Sequence, residues 1–159
     1  MIFPLGSQEF YALNNNVMET ARINLKLRYS LLKHYFMLFV RTDHAGTVFR
    51  PLFFEFSDDK GCFEDSVMDK QFLVGSELMS TPILEPGNIQ ITAYFPEGSW
   101  FDVMSGYRMS ENNNSNAEGF TTRGTDKIVV NKLSDTVPLF IRGGKLIGWQ
   151  DTTNVLNQK

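Results

Sequence analysis

The pattern of apolar residues changes at Pro82, and this change restricts the chain to a mixed fold. Before it, the stretch VMETARINLKLRYSLLKHYFMLFVRT (residues 17–42) repeats apolar side chains at the spacing of a helix. After it come short β-type runs separated by turn residues. With 159 residues, 42% of them hydrophobic and 13% aromatic, the chain is about the size of one domain and can fill a core.

The first half predicts one helix, from about residue 17 to about residue 43. Asn16 and Glu19 have the spacing of a capping box, and Gly46 is a suitable end signal. The predicted buried face consists of apolar residues at helical spacing: Ala21, Leu25, Tyr29, Leu32, Phe36 and Phe39. The basic residues of this stretch would also suit a helix on a membrane surface, but they are spread among apolar residues, which favours a buried helix with a solvated edge. They are Arg22, Lys26, Arg28, Lys33 and Arg41.

The next run, TVFRPLFFEF (residues 47–56), is apolar at both alternating sets of positions, with Leu52, Phe54 and Phe56 on one side and Phe53 on the other. This pattern predicts a strand buried on both faces of a parallel sheet. A helix followed by such a strand indicates a repeating β/α architecture. The following DKQFLVG (residues 69–75) predicts a short helix or turn.

The second half predicts a small antiparallel β-domain. Its strand-like runs are residues 82–84, 89–95, 100–104, 127–133, 137–141 and 145–147. Pro96-Glu97-Gly98 and Gly143-Gly144 lie between consecutive runs and predict two hairpins. Arg142-Gly143-Gly144 superficially resembles a phosphate loop, but no helix start follows it, so a turn is favoured. The Asn-rich residues 110–119 predict a surface loop.

Three carboxylates follow the strand-like run and raise the question of an active site. Glycosidases cut with paired carboxylates placed where strands end, and Glu55, Asp58 and Asp59 come at the end of RPLFFEF. The alternative is that they cap or solvate a loop. From these residues alone the two interpretations stay open.

The other candidate residues point to structural roles. His34 and His44 lack the neighbouring Ser, Cys or carboxylate motif of a triad or a metal site. The single Cys62 excludes an internal disulfide and a cysteine-based zinc site, so we expect no cofactor and no metal. Trp100 and Phe101 could form an aromatic platform for a sugar, but their alternation with the preceding run favours core packing.

Charge and hydropathy exclude two classes of partner. The formal net charge is −3 and the basic residues are scattered, so we expect no nucleic-acid partner. We also expect no membrane span, because no apolar run approaches the required length. The first residues, MIFPLGSQEF, predict no export signal in this chain, and the cellular compartment is left undecided. Asn113, in Asn113-Asn114-Ser115, has the form of an N-glycosylation acceptor.

Six stretches, in chain order, resemble motifs of glycoside hydrolase family 31, which contains α-glucosidases and α-xylosidases. SQEFYAL resembles that family's SQEPY, RYSLLKHYFMLF its RYxLLPYLYTLF, and RPLFFEFSDD its RPLFFEFPDD. DKQFLVGSELMSTPILEPG resembles DxQFLLGxxLLVxPVLEPG, AYFPEGSWFDVMSG resembles VYFPEGxWYDxxTG, and VPLFIRGGKLIGWQ resembles IPxFxRGGxIIPxQ. Phe10, Lys33 and Gly148 depart from family prolines, which affects packing and turns only.

The resemblance implies a fold and a domain organisation. Residues 1–80 would be the last helix and strand of a (β/α)8 catalytic barrel, residues 81–150 an antiparallel β-sandwich domain, and residues 151–159 a tail. The implied partners are the remainder of the barrel and an α-linked glucoside or oligosaccharide. Since a barrel piece without neighbours leaves apolar side chains uncovered, self-association through that surface is expected.

The resemblance also answers the question of the carboxylates. The family's nucleophile lies in WxDMNE, its acid/base Asp follows further on, and its RNH motif carries a sugar-contacting His; we find none of these in this sequence. No catalytic or substrate-binding residue is carried over, Asp58 and Asp59 match the family's PDD turn, and the chain alone is expected to be inactive. The alternative function is a non-catalytic sugar-binding or interaction module from a truncated paralogue.

Overall fold

Antiparallel strands dominate the computed structural model, which describes residues 14–41, 46–104, 119–122, 126–131 and 136–152. For residues 119–122 and 126–131 only the backbone is described. The helices are α1 (Asn15–Ser30), α2 (Leu32–Arg41) and α3 (Asp65–Met68). The strands are β1 (Phe49–Arg50), β2 (Phe72–Val74), β3 (Leu78–Ser80), β4 (Gln90–Phe95), β5 (Gly98–Asp102), β6 (Gly119–Thr122), β7 (Asp126–Asn131) and β8 (Leu139–Arg142). Short 3-10 turns occupy Leu52–Phe54 and Lys60–Phe63.

The strands form two sheets in which every pair is antiparallel. The larger sheet has six strands in the order β1-β2-β3-β8-β5-β6, and the smaller pairs β4 with β7. The antiparallel strands expected for the second half are therefore present. The larger sheet also includes β1, β2 and β3 from the first half, because β3 pairs with β8. The division at residues 80 and 81 stays a prediction, and one sheet joins both sides of it.

Side chains on β2 and β3 alternate between two hydrophobic clusters, as the period-two geometry of a strand requires. Leu73 and Met79 lie in a cluster that also contains Phe95 and Trp100, between the two sheets. Val74 and Leu78 lie in the other cluster, which includes Leu31 and Leu38 from the helical segment. The larger sheet is thus covered by the small sheet on one face and by the helices on the other.

The prediction of one continuous helix is wrong, because the helix is interrupted at Leu31. The Ser30 hydroxyl donates to the Lys26 carbonyl at 3.2 Å, a contact that bends helices. At the break, Gln150 from the C-terminal part of the chain supplies hydrogen-bond donors to two carbonyl groups of the helix. The backbone N–H of Gln150 donates to the Ser30 carbonyl at 2.9 Å, and its side-chain amide donates to the Tyr29 carbonyl at 2.8 Å.

The start and the buried face of the helix also differ from the prediction. Asn14, rather than Asn16, is the N-cap, since its side chain accepts from the Val17 N–H at 3.0 Å, and Glu19 pairs with Arg22 instead of closing a capping box. Buried or partly buried apolar residues follow a neighbouring stripe of the helix surface, at Leu27, Leu31, Tyr35 and Leu38. Five of the six residues predicted to be buried are exposed: Leu25, Tyr29, Leu32, Phe36 and Phe39.

The run of residues 47–56 is not the buried parallel strand that its composition predicts. Its strand, β1, is two residues long and pairs with β2 in antiparallel fashion. Pro51 has no N–H with which to continue a ladder, and the chain turns into the 3-10 segment at Leu52. Leu52 is buried, whereas Phe54 is exposed. The short helix or turn predicted at residues 69–75 is only partly present: residues 69 and 70 form a turn after α3, and β2 follows at Phe72–Val74.

Both predicted hairpins are wrong, although the strands β4, β5, β7 and β8 lie in or overlap the predicted runs. Strand β4 pairs with β7, and β5 pairs with β6 and β8, so the Pro96-Glu97-Gly98 turn carries the chain from one sheet to the other. At Gly143 and Gly144 the backbone forms a turn, and no strand follows it in residues 145–152. Residues 82–84 and 145–147 are likewise not strands.

Candidate functional site

Glu55 lies between two arginines brought from separate parts of the chain. Its Oε1 is 3.0 Å from Arg142 Nη1, and its Oε2 is 3.7 Å from Arg50 Nη1. The Arg142 guanidinium also lies over the Phe56 ring, 4.4 Å from its centroid, where a cation–π interaction adds to the ion pair. Glu55 therefore ties β8 to the segment after β1, a role that sequence reasoning missed because it assigned Arg142 only to a turn.

Asp59 serves as a cap, as the sequence predicts for this turn. Its Oδ1 accepts a hydrogen bond from the Gly61 N–H at 3.0 Å and another from the Tyr94 hydroxyl at 2.6 Å. Asp58 is exposed. A retaining glycosidase needs two carboxyl groups that face one substrate, about 5 to 5.5 Å apart. Glu55 and Asp59 instead bond to different residues of the chain, so their contacts indicate structural roles.

Cys62 belongs to the same buried surroundings as Asp59. Its side chain is fully buried, and burial, followed by the nearby Asp59 carboxylate, raises the pKa of the Cys62 thiol to about 12. Burial and the hydrogen bond to Asp59 also raise the pKa of the Tyr94 hydroxyl. Since the thiolate is the reactive form of cysteine, Cys62 is not suited to nucleophilic chemistry.

His34 is buried with both ring nitrogens lacking a hydrogen-bond partner within the described part of the chain. Burial lowers the pKa of His34 below its usual value of 6.5, and the nearby Glu77 carboxylate only partly opposes this. The neutral imidazole packs in the core, so the structure shows no chemistry at His34. Residue His44 lies outside the described residues.

Glu77 is a buried carboxylate that sequence reasoning did not single out. Its Oε1 is 2.7 Å from Arg41 Nη1, and its Oε2 accepts from the Ser76 N–H at 2.8 Å. Burial alone would raise the pKa of Glu77, but these donors outweigh it, and the pKa lies below its usual value of 4.5. Lys145 Nζ donates to the Ser76 hydroxyl at 3.1 Å. Glu77 thus connects α2 to the start of β3 and, through Ser76, to the segment after β8.

Stability is expected to fall as the pH drops below about 6.5, because His34 is held neutral in the folded state. Its folded pKa is lower than its unfolded pKa, so the unfolded chain binds more protons in this range. The contribution of His34 to stability is complete at pH values above its unfolded pKa, and it is lost as the pH falls towards its folded pKa. Melting temperatures measured by circular dichroism between about pH 7.5 and pH 5 test this. In His34→Leu the melting temperature should change less with pH. An unchanged pH dependence would mean that other titratable groups cause it.

Trp100 is a core residue, as the alternation predicts, and not a sugar platform. It is fully buried, packs edge-on against Phe95 with ring centroids 5.9 Å apart, and donates its indole N–H to the Pro96 carbonyl at 2.9 Å. The prediction of core packing is wrong for Phe101, which lies on the opposite face of β5 and is 37% exposed. No stacking surface for a sugar is formed by these two residues together.

The Arg142-Gly143-Gly144 segment is a turn, as predicted. The Lys145 N–H donates to the Arg142 carbonyl at 3.2 Å, and Gly144 has a φ of 76°, which favours glycine. Gly143 lies against β5, where an added Cβ would come 2.9 Å from the Cβ of Ser99. Close backbone packing explains the glycine at this position.

Two further expectations concern metals and membranes. Among the described residues, no group of His, Cys, Asp and Glu is arranged to hold a metal ion. Within the same residues, no helix is both long and apolar enough to cross a membrane. Asn113 and residues 7–13, which include SQEFYAL, lie outside the described part of the chain, as does most of the Asn-rich segment 110–119.

Comparison with known proteins gives a consistent set of relatives. Residues 45–147 match the model of the glycosyl hydrolase family 31 C-terminal domain. The lysosomal acid alpha-glucosidase of Tetrahymena pyriformis is 32% identical over 96% of this chain, which spans 17% of that protein. The lysosomal alpha-glucosidase of Mus musculus is 40% identical over 60% of this chain and 10% of its own length. A GH31 dextranase of Flavobacterium johnsoniae, complexed with glucose, matches with a TM-score of 0.72 and 25% identity over 94% of this chain and 17% of that one.

Proposed function

This chain belongs to glycosyl hydrolase family 31, and from that membership we propose that it is the C-terminal portion of an α-glucosidase-like hydrolase. The observation that carries the proposal is the match of residues 45–147 to the family's C-terminal domain. Alpha-glucosidases among the curated relatives and a dextranase complexed with glucose support an α-linked glucoside or oligosaccharide as the substrate of the complete enzyme.

The proposed fold of the complete enzyme has two parts that share a core. The β-sandwich proposed for residues 81–150 has the sheet of β4 and β7 packed on the larger sheet, which is completed by β1, β2 and β3 from before residue 81, and residues 151–159 are a tail. Residues 1–80 are the piece that ends the (β/α)8 barrel. The antiparallel pairing of β3 with β8 supports a firm attachment of this piece to the sandwich, so that the sandwich buttresses the barrel.

We further propose that the isolated chain does not hydrolyse glycosides. Hydrolysis with retention needs a carboxylate nucleophile and a carboxylic acid that donates a proton. Glu55 is bound by Arg142 and Arg50, and Asp59 by Tyr94 and Gly61. Each of these carboxylates is already engaged by the protein, which supports placing the nucleophile and the acid in the remainder of the barrel.

The outer surface of α2 supports the remainder of the barrel as the partner. Phe36 is 69% exposed, and Met37, Phe39 and Val40 are about half exposed. A contiguous apolar surface of this kind marks a protein contact. In the isolated chain the same surface is expected to cause self-association.

A complementation assay tests both proposals. The full chain is mixed with the upstream barrel segment of a family 31 α-glucosidase, cut before the part that corresponds to residues 1–159 of this chain, and release of nitrophenol from p-nitrophenyl α-glucoside is followed. Hydrolysis is expected from the mixture and not from the chain alone. Each buried Phe contributes about 1.5 to 3 kcal/mol, so the double variant Phe36→Glu, Phe39→Glu should weaken complementation by more than about 100-fold.

Lys33→Glu is the matched control, because Lys33 is exposed on the same helix and its replacement keeps the apolar surface. This variant should complement nearly as well as the unchanged chain. Hydrolysis by the chain alone would refute its proposed inactivity. Equal complementation by the double phenylalanine variant would show that α2 does not contact the barrel.

A further inference from the structure

A concave site lies along β4, and neither Glu55, Glu77 nor His34 lines it. It is a cavity of about 380 Å³, within the range of small-molecule sites, about 300 to 1,000 Å³. Three segments enclose it: residues 66–70 from α3 and the turn after it, residues 83–88, and β4 itself. The contacts of Glu55, Asp59 and Glu77 described above do not explain why this cavity is present.

Within the described residues, the edge of β4 that borders this cavity carries backbone groups with no hydrogen-bond partner. At Tyr94 that edge is closed by a side chain, because Gln71 Oε1 accepts from the Tyr94 N–H at 2.8 Å and Gln71 Nε2 donates to the Tyr94 carbonyl at 2.9 Å. In an antiparallel pair, alternate residues direct both backbone groups to the same side. The backbone N–H and C=O groups of Gln90 and Thr92 therefore point away from β7, as those of Tyr94 do. Within the described residues, no group forms a hydrogen bond with them on that side.

The lining provides both hydrogen-bonding groups and an apolar surface. The polar side chains are Ser66, Lys70, Glu85, Asn88, Gln90 and Thr92. The apolar part comes from Val67, Ile83, Leu84 and Ile91. Lys70 and Glu85 carry opposite charges, so the lining has no net charge. A ligand that suits this surface is neutral, rich in hydroxyl groups, and has an apolar C–H face.

We propose that this cavity binds a neutral saccharide, at a site separate from the catalytic centre of the complete enzyme. The hydroxyl groups of one or two sugar rings would bond the backbone of Gln90 and Thr92 and the side chains of Lys70 and Asn88, with the C–H face of a ring on Leu84 and Ile91. Tyr94 is too buried to stack on the ligand, so binding is weak, with a Kd of about 1 to 10 mM.

The short free edge favours a compact ligand over an added peptide strand. A typical strand has about 5 to 6 residues, whereas Gln71 occupies this edge at Tyr94 and leaves the outward groups of Gln90 and Thr92. The residues that line the cavity support the site, whereas its separation from a catalytic centre and the choice of an α-glucoside as the probe rest on the proposed function.

The test is a titration of the full ¹⁵N-labelled chain with maltotriose, followed by ¹H–¹⁵N correlation spectra. Saturable shifts are expected at the amides of Asn88, Gln90 and Thr92. Lys70→Met should weaken binding by about 5-fold or more, which corresponds to about 1 kcal/mol. Lys60→Met, which removes an exposed lysine outside the cavity, should leave the binding unchanged.

Two results would overturn the proposal. One is the absence of saturable shifts at these amides up to about 50 mM maltotriose, several times the expected Kd. The other is binding that Lys60→Met and Lys70→Met weaken equally, which would indicate non-specific contact. Because complementation of the barrel is measured through hydrolysis, Lys70→Met should leave it intact, and the failure of one proposal can be told from the failure of the other.

Discussion

Replacing Trp100 with alanine should lower the free energy of unfolding by about 3 to 5 kcal/mol, the usual cost of removing a large buried aromatic side chain. Trp100 is fully buried and contacts the rings of Phe95 and Phe56. It also fills the space between the two sheets, so its loss leaves a cavity where they meet. The hydrogen bond from its indole N–H to the Pro96 carbonyl is also lost in the variant. Urea denaturation followed by circular dichroism measures the change.

The adjacent Phe101 provides a matched control on the opposite face of the same strand. It is 37% exposed, so Phe101→Ala should cost clearly less, about 1 kcal/mol. If both variants lost the same amount, packing between the sheets would not be the source of the effect. A loss below about 1 kcal/mol in Trp100→Ala would contradict the packing described here.

Local sequence signals predicted the elements that depend on near neighbours. Short runs of strand-forming residues, bounded by Gly, Pro or polar residues, mark β4, β5, β7 and β8 in the sequence. They are visible because period-two alternation is a property of each strand by itself. The turn at Asp59 was also predictable, since its cap is formed with Gly61, two residues away. Trp100 was assigned to the core from alternation with the preceding run, β4; the assignment is confirmed, although β4 and β5 are not paired with each other.

Strand pairing and the ion pairs could not be predicted, because they join distant parts of the chain. The turn at Pro96-Glu97-Gly98 fits a hairpin as well as a crossing between sheets, and only the pairing of β4 with β7 decides between them. Glu55 and Arg142 are 87 residues apart. No pattern in either neighbourhood identifies the other residue as its partner.

The buried face of the helical segment could not be predicted from sequence for a different reason: two neighbouring stripes of its surface are apolar. Periodicity singled out the stripe that contains Leu25, Leu32 and Phe36, and no local signal shows which stripe the rest of the protein covers. The structure buries the stripe with Leu31 and Leu38 and leaves Phe36 and Phe39 exposed. The break at Leu31 was equally hidden, because the donors that replace the helical hydrogen bonds come from Gln150.

Replacing Gln71 with leucine should lower the free energy of unfolding by about 2 to 4 kcal/mol. The Gln71 amide pairs with both backbone groups of Tyr94 as a neighbouring strand would. Leucine has a similar volume and cannot form either bond, so a buried N–H and a buried C=O are left unpaired. Each unsatisfied buried group costs about 1 to 3 kcal/mol. Urea denaturation gives the stability, and hydrogen exchange at the Tyr94 amide reports the bond itself.

Gln90→Leu is the control, because Gln90 lies on the same edge of β4 with an exposed side chain, and its replacement should change stability by less than about 0.5 kcal/mol. Gln71→Glu separates the two bonds, since a carboxylate can still accept from the Tyr94 N–H but cannot donate to its carbonyl. Its stability should fall, and the Tyr94 amide should exchange more slowly than in Gln71→Leu. Unchanged protection of that amide in Gln71→Leu would mean that Gln71 does not close the edge of β4.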